Sequence, residues 1–228
     1  MKILIIEDEE QLAKSIAEYL WEENYLCEFA YTFHEAMGKI EVFQYDCILL
    51  DITLPDGNGL KILEELKKEQ KQDGVIIISA KNALDDKIKG LEIGADDYLT
   101  KPFHLPELAA RIYSIIRRKQ FSSTNVVAQN ELQIDLLAKT VSVNSTAISL
   151  TKKEFDLLLY FVGNKNRVIS KSTLAEHLSG DFADMLENHD FVYAHVKNLK
   201  KKLYDAGCDH YLKTVYGTGY KWIANSKI

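Results

Sequence analysis

The first 118 residues alternate between two periods. Five short apolar runs, "KILIIE", "CEFAY", "CILLD", "VIIISA" and "DDYLTK", are separated by stretches at helical spacing. Leu12, Ile16 and Leu20 form one such stripe, Ile62, Leu63 and Leu66 a second, and Leu108, Ile112, Ile115 and Ile116 a third. Runs this short and this apolar are strands buried on both faces, which occur when helices cover both sides of a parallel sheet. Five β-α units of this kind predict an α/β fold, a doubly wound five-stranded parallel sheet. Ligands of such sheets sit at the carboxyl ends of the strands, where the strand order reverses.

Those ends read Glu7 and Asp8, then Asp51, then Ser79, then Lys101. Singly each is ordinary: an acidic pair charges a helix N-terminus, a serine caps, and Lys-Pro turns. At the same edge of one sheet they describe a pocket. Three carboxylates aimed into it repel one another unless a divalent cation sits among them, and hard oxygen ligands suit Mg²⁺. Lys101 adds a positive charge and Ser79 a hydroxyl, so the set can accept a phosphoryl group on Asp51 by in-line attack. In "LPDGNG", Pro55 stiffens the following loop and Gly57 and Gly59 let it turn close to the metal.

The chain has 228 residues, enough for two domains of ordinary size. With 46% apolar residues and only three prolines it is globular. Charge divides unevenly: residues 1–118 hold 14 Lys and Arg against 23 Asp and Glu, net −9, and residues 119–228 hold 14 against 11, net +3. The first half suits a cation or a signal, the second an anionic partner. "KQFSSTNVVAQN" between them, short and polar, reads as a linker. Cys27, Cys47 and Cys208 are odd in number and widely spaced, and read as packing residues. No signal peptide or membrane span is visible, and a cytoplasmic location with no membrane partner is expected.

"IIEDE", "ILLDITLPDGNGL", "IIISAK" and "GADDYLTKPF" resemble the receiver domain of bacterial response regulators of the OmpR/PhoB subfamily over about residues 1–118. The resemblance implies a flavodoxin-like receiver with Asp51 as the phospho-acceptor. It implies Mg²⁺ held by Asp8, Asp51 and the main-chain carbonyl of Thr53, with Glu7 acting through water. Ser79 and Lys101 would hold the phosphoryl group, Tyr98 would turn inward when Ser79 moves, and the donor would be a phosphohistidine on a sensor histidine kinase. Thr53 and Lys81 flank the reacting centre and are expected to tune the phosphoryl lifetime. Lys87 with Glu107, Asp97 with Arg111, and Asp96 with Arg118 are expected as cross-subunit pairs of an isologous dimer of phosphorylated receivers.

In the second half, alternating strands "ELQID", "TVSVN" and "AISL" lead to Thr151, which with Glu154 forms a capping box before "FDLLLYFVGN". A second helix, "KSTLAEHLSG", precedes a third, "DFVYAHVKNLKKKLYDAG". There Val192, Val196, Leu199 and Leu203 share one face while Ala194, Lys197, Asn198 and Lys201 point away. "YLKTVYGTGYKWI" is a hairpin with Gly217 and Gly219 at its turn. "LTKKEFDLLLYF", "VISKSTLAEHL" and "TVYGTGYKW" resemble the winged helix-turn-helix effector of the same subfamily, which is α+β. That implies a third helix in the major groove and a wing at the minor groove, with Lys197, Asn198, Lys200, Lys201, Lys202, Thr214, Tyr216 and Thr218 at the DNA. The subfamily commonly has Arg where Asn198 and Lys200 stand, an acid at Tyr193 and a wing Arg at Tyr216. Asn198 is therefore expected to read adenine, and Tyr216 to stack or bond by its hydroxyl where charge is usual.

The reading is a receiver at 1–118, a linker at 119–130 and a winged helix-turn-helix domain at 131–228. Function follows as a two-component transcriptional regulator whose phosphorylation on Asp51, with Mg²⁺, promotes homodimerisation and binding to double-stranded promoter DNA, with RNA polymerase as a further partner. It is not an enzyme beyond slow autodephosphorylation. One alternative is a phosphorylation-independent, constitutively dimeric regulator of the same fold. Another is a Mg²⁺-dependent phosphatase or phosphotransferase of small metabolites; Thr53, standing where a general acid two residues after the nucleophile would be needed, argues against it.

Overall fold

A computed structural model describes residues 1–80, 84–121, 125–179, 190–208 and 210–223, the side chains of Leu84, Asp85 and Asp190 excepted. The chain forms two compact units, Met1–Lys119 and Gln120–Ile228. Among the described residues no helix is long and apolar enough to cross a membrane.

The first unit runs β1 (Lys2–Ile6), α1 (Glu10–Glu22), β2 (Leu26–Ala30), α2 (Phe33–Val42), β3 (Cys47–Asp51), β4 (Thr53–Leu54), β5 (Gly57–Asn58), α3 (Gly59–Lys68), β6 (Gly74–Ser79), α4 (Leu84–Ile93), β7 (Asp97–Thr100) and α5 (Leu105–Gln120). Its parallel sheet has the order β2-β1-β3-β6-β7, so the strand order reverses beside β1, between β1 and β3. β1, β3 and β6 are buried at every position, as apolar runs without polar alternation require. The helices bury their expected stripes with one shift: in α1 it is Ala13, with Ile16 and Leu20, that is fully buried, while Leu12 is half-exposed.

Aspartates secure the amino ends of the strands. Asp46 accepts from Lys2 N at 2.6 Å, Asp73 from Tyr45 N at 2.6 Å and Asp96 from Val75 N at 2.9 Å. Each carboxylate satisfies a backbone donor that the sheet ladder leaves over. Lys2 is itself 2% exposed, paired with Glu28 at 2.9 Å and lying over the Phe43 and Tyr45 rings.

The second unit opens on an antiparallel sheet of β8 (Val126–Gln129), β9 (Leu132–Asp135), β10 (Thr140–Val143) and β11 (Thr146–Ile148), in the order β11-β10-β9-β8. The stretch expected as a linker is thus shorter than its polarity suggests. Lys119 and Gln120 end α5, and Val126–Gln129 form β8, which Val127 and Gln129 hold by their burial. Then follow α6 (Lys152–Gly163), β12 (Val168–Ser170), α7 (Lys171–Ser179), α8 (Asp190–Asp205), β13 (Leu212–Val215) and β14 (Gly219–Trp222); the last two strands form a hairpin that β12 extends to three strands. Val192, Val196, Leu199 and Leu203 of α8 are buried, and Trp222 is fully buried with its indole N–H donated to Gln129 Oε1 at 3.0 Å.

The capping box forms: Glu154 N donates to Thr151 Oγ1 at 3.3 Å and Thr151 N to Glu154 Oε2 at 2.7 Å. Lys202 of α8 adds a 2.7 Å ion pair to the same oxygen. Burial pushes the Glu154 carboxyl up, but Lys202 and the Thr151 N–H outweigh it and hold the group below the ordinary value of 4.5. A depressed carboxylate contributes stability that is present above its unfolded value and lost as pH falls through the folded one. Glu154→Gln should therefore unfold α6 and α8 at lower temperature than wild type at neutral pH, with the gap closing below pH 4.5; a gap independent of pH would assign the loss to packing. Thr151→Ala should cost about 1 kcal/mol in the same melt.

Candidate functional site

β1, β3, β6 and β7 deliver Glu7, Asp8, Asp51, Ser79 and Lys101 to one edge of the first sheet. Carboxylate oxygens of Glu7, Asp8 and Asp51 lie within 4.8 Å of one another. Lys101 Nζ donates to Asp51 Oδ2 at 2.6 Å and to Glu7 Oε1 at 2.7 Å. Glu7 and Asp51 are buried, at 2% and 5% exposure, and Asp8 is exposed, so the cluster has a buried floor and an open mouth.

Burial pushes the Glu7 carboxyl up, against the pull of Lys101. Burial also opposes the Lys101 ammonium, but its bonds to Asp51 and Glu7 outweigh that and hold it above the ordinary lysine value. The site has acceptors to spare. Glu7 Oε2 lies 2.7 Å from Lys101 Nζ yet makes no hydrogen bond of sound geometry, and it is buried. An all-oxygen donor set with a buried acceptor left over fits a hard divalent cation, and Glu7, Asp8 and Asp51 are the groups that could hold it.

The Asp51–Gly59 turn is built by close approach. Thr53 N donates to Asp51 Oδ1 at 2.9 Å, and Gly59 N to the Ile52 carbonyl at 2.8 Å. A Cβ on Gly59 would stand 2.0 Å from the Asp51 carbonyl oxygen, and one on Gly57 would stand 2.6 Å from the Phe33 ring. Neither glycine has a positive φ, so both are needed for space and not for turning. Asn58 caps α3 through Leu60 N at 2.9 Å, a start signal legible in "NGLKI".

Ser79 is fully buried and hydrogen-bonded to Tyr98, which is 5% exposed. The aromatic expected to turn inward is already inside. Lys81 lies outside the described residues.

The expected dimer residues sit on α4, β7 and α5, with several engaged inside the chain. Arg111 holds Asp97 and Glu107, each at 2.7 Å. Within the chain Asp96 takes Val75 N and, at 3.0 Å, Lys119; its expected pairing with Arg118 is across subunits. Lys87 lies over the Tyr98 ring at 5.9 Å, and Arg118 is exposed. Sequence reasoning missed Ile88 and Leu91 on the same helix as Lys87, each 42% exposed.

On α8, Lys197, Asn198 and Lys201 are exposed, as are Thr214, Tyr216 and Thr218 of the hairpin. Lys200 and Lys202 differ. Lys200 donates to Thr214 Oγ1 at 2.8 Å and lies over the Tyr220 ring, joining helix to hairpin, while Lys202 is held by Glu154.

Residues 3–113 match the response regulator receiver domain family, and residues 145–222 match the family of the transcriptional regulatory protein C terminus. The chain is 39% identical over 219 residues to response regulator ArlR of Staphylococcus aureus, covering 96% of this chain and 98% of that one. To ArlR of Staphylococcus haemolyticus it is 37% identical over 218 residues, covering 96% and 97%. The receiver domain of the Francisella response regulator 1452 is similar to 51% of this chain over 97% of its own length, at 35% identity and a TM-score of 0.50.

Gly59→Ala should displace the Asp51 turn and weaken Mg²⁺ binding at least about tenfold. Titrating the backbone amide signals of Asp51 and Thr53 with Mg²⁺ reads this directly; an unchanged midpoint would show that the turn yields without cost.

Proposed function

The chain belongs to the response regulators, joining a receiver domain to a transcriptional regulatory C-terminal domain of the OmpR/PhoB winged-helix type, and from that premise we propose that Asp51 is its phospho-acceptor and that phosphorylation controls its binding to promoter DNA. The observation that carries the reading is the convergence of Glu7, Asp8 and Asp51 on Lys101 at the carboxyl edge of the sheet.

Asp51 attacks the phosphorus of a phosphohistidine on a sensor kinase. A carboxylate oxygen forms the new O–P bond, the N–P bond breaks, and the released imidazole takes a proton from solvent. Lys101, raised in pKa and already on Asp51, neutralises the charge that accumulates on the transferring oxygens, and Ser79 donates its hydroxyl to one of them. Asp8, Asp51 and the Thr53 carbonyl, with Glu7 acting through water, would hold Mg²⁺, which would supply further charge neutralisation at the transferring group.

For dimerisation, the face of α4, β7 and α5 offers Lys87, Glu107 and Arg118 around the exposed Ile88 and Leu91, with Asp97 and Arg111 beside them. Asp96, which takes Val75 N and Lys119 within the chain, belongs to the same expected set. For DNA, the exposed face of α8 with Lys197, Asn198 and Lys201 suits the major groove, and Thr214, Tyr216 and Thr218 suit the wing. Lys200 sets the angle between them, and Lys202 serves the α6 cap.

Incubation with a small phosphodonor and Mg²⁺ should add a single phosphoryl group by intact mass, and Asp51→Asn should abolish it. Dimerisation of unmodified protein with no adduct formed would favour the phosphorylation-independent regulator. Sites selected from random DNA should carry adenine at one position of each half-site, and Asn198→Ala should relax that preference by about 1–3 kcal/mol; selected sites without it would remove Asn198 from base reading.

A further inference from the structure

We propose that Asp56 is a positioning residue for the cation site, docking the loop that carries the Thr53 carbonyl onto the N-terminus of α2. The proposal deepens the reading of the Asp51 pocket and rests on it.

A helix leaves its first four N–H groups without intrahelical partners. In α2 three of these, on Phe33, His34 and Glu35, are satisfied from two sources. Glu35 N donates to Thr32 Oγ1 at 3.1 Å, which is the helix capping itself. Phe33 N and His34 N donate instead to Asp56 Oδ1 at 2.6 Å and Oδ2 at 3.0 Å, across 23 and 22 residues of sequence. Each carboxylate oxygen of Asp56 thus takes one donor at the positive end of the helix. Beside it Gly57 lies so close to Phe33 that no side chain would fit.

The loop has little else to hold it. Thr53, Pro55, Asp56, Gly57 and Asn58 are exposed and only Leu54 is buried; β4 and β5 pair over two residues each. One end of this loop bonds Asp51 through Thr53 N, and the other caps α3 through Asn58. Asp56 is the fastening between them. Freed from α2, the loop would let the Thr53 carbonyl wander, and a cation would then have to order it on binding, at a cost in affinity.

The control is built into the same helix. Thr32→Ala removes a cap from α2 without touching the loop, whereas Asp56→Ala removes caps and frees the loop. If Asp56 positions the site, Asp56→Ala weakens Mg²⁺ about tenfold, Asp56→Asn, keeping one acceptor, falls between, and Thr32→Ala leaves the Mg²⁺ midpoint unchanged. The readout is Mg²⁺ titration of the Asp51 and Thr53 amide signals in the full chain, and wild-type Phe33 and His34 amides should shift with them, since coupling is reciprocal. Equal effects of Thr32→Ala and Asp56→Ala would make Asp56 a helix cap and nothing more, and unaltered affinity in Asp56→Ala would overturn the proposal outright. The phosphoryl reading fails separately: a wild type that binds Mg²⁺ at Asp51 but never gains an adduct would refute that reading while the titration still decides the role of Asp56.

Discussion

One ammonium group sets the terms for the whole carboxyl edge of the first sheet. Lys101 reaches two buried carboxylates at hydrogen-bond distance, and removing one partner of a buried pair typically costs roughly 3–5 kcal/mol, because the other charge is stranded. Counted formally, Glu7, Asp8 and Asp51 against Lys101 leave two negative charges in the pocket. A divalent cation would cancel them, where a monovalent one would leave a charge over. On the proposed chemistry, phosphorylation replaces the single charge of Asp51 by a phosphoryl dianion, so the pocket becomes more negative by one. Lys101 and Ser79 are the groups placed to answer that change.

The opposite edge of the same sheet shows what a carboxylate does when it is scaffold. Asp46, Asp73 and Asp96 precede strands β3, β6 and β7, and each takes a backbone N–H from a neighbouring segment. Their acceptors are spent on closing the sheet. At the carboxyl edge Asp51 Oδ1 takes Thr53 N, but Glu7 Oε2 has no such donor. Neither backbone donors nor burial separate the two kinds of acid, since Asp51 takes Thr53 N, Glu7 takes Glu9 N, and Asp73 and Asp51 are 6% and 5% exposed; what sets Glu7, Asp8 and Asp51 apart is that they lie within 4.8 Å of one another beside Lys101.

That distinction also marks what the chain made legible. Strand runs, helix stripes, the capping box and the pocket of Glu7, Asp8, Asp51, Ser79 and Lys101 were readable because each is local or sits at a strand end fixed by the topology. Contacts set by three-dimensional approach were not. Nothing near Asp56 in sequence says that Phe33 and His34 need an acceptor, and nothing in "LKKK" separates Lys201, which is exposed, from Lys200 and Lys202, which are held by Thr214 and Glu154. Polar composition hid β8, whose burial depends on alternate residues Val127 and Gln129, and the three-residue β12 is too short to show a period.

The loss of Lys200 and Lys202 from the exposed set bears on how such a protein could bind DNA. Each phosphate contact contributes to affinity mainly through counterion release, so an α8 face with Lys197 and Lys201 as its exposed lysines would, on the proposed reading, give that face alone a shallow salt dependence. Two domains on adjacent half-sites combine differently. Once one is bound, joined receivers hold the second at high effective concentration, and affinity rises by orders of magnitude with no new contact. A switch at Asp51 then need not reshape α8 or the hairpin at all. On the proposed reading it would have only to shift the receiver toward its dimer, and a DNA-binding surface too weak to act alone would make that shift decisive.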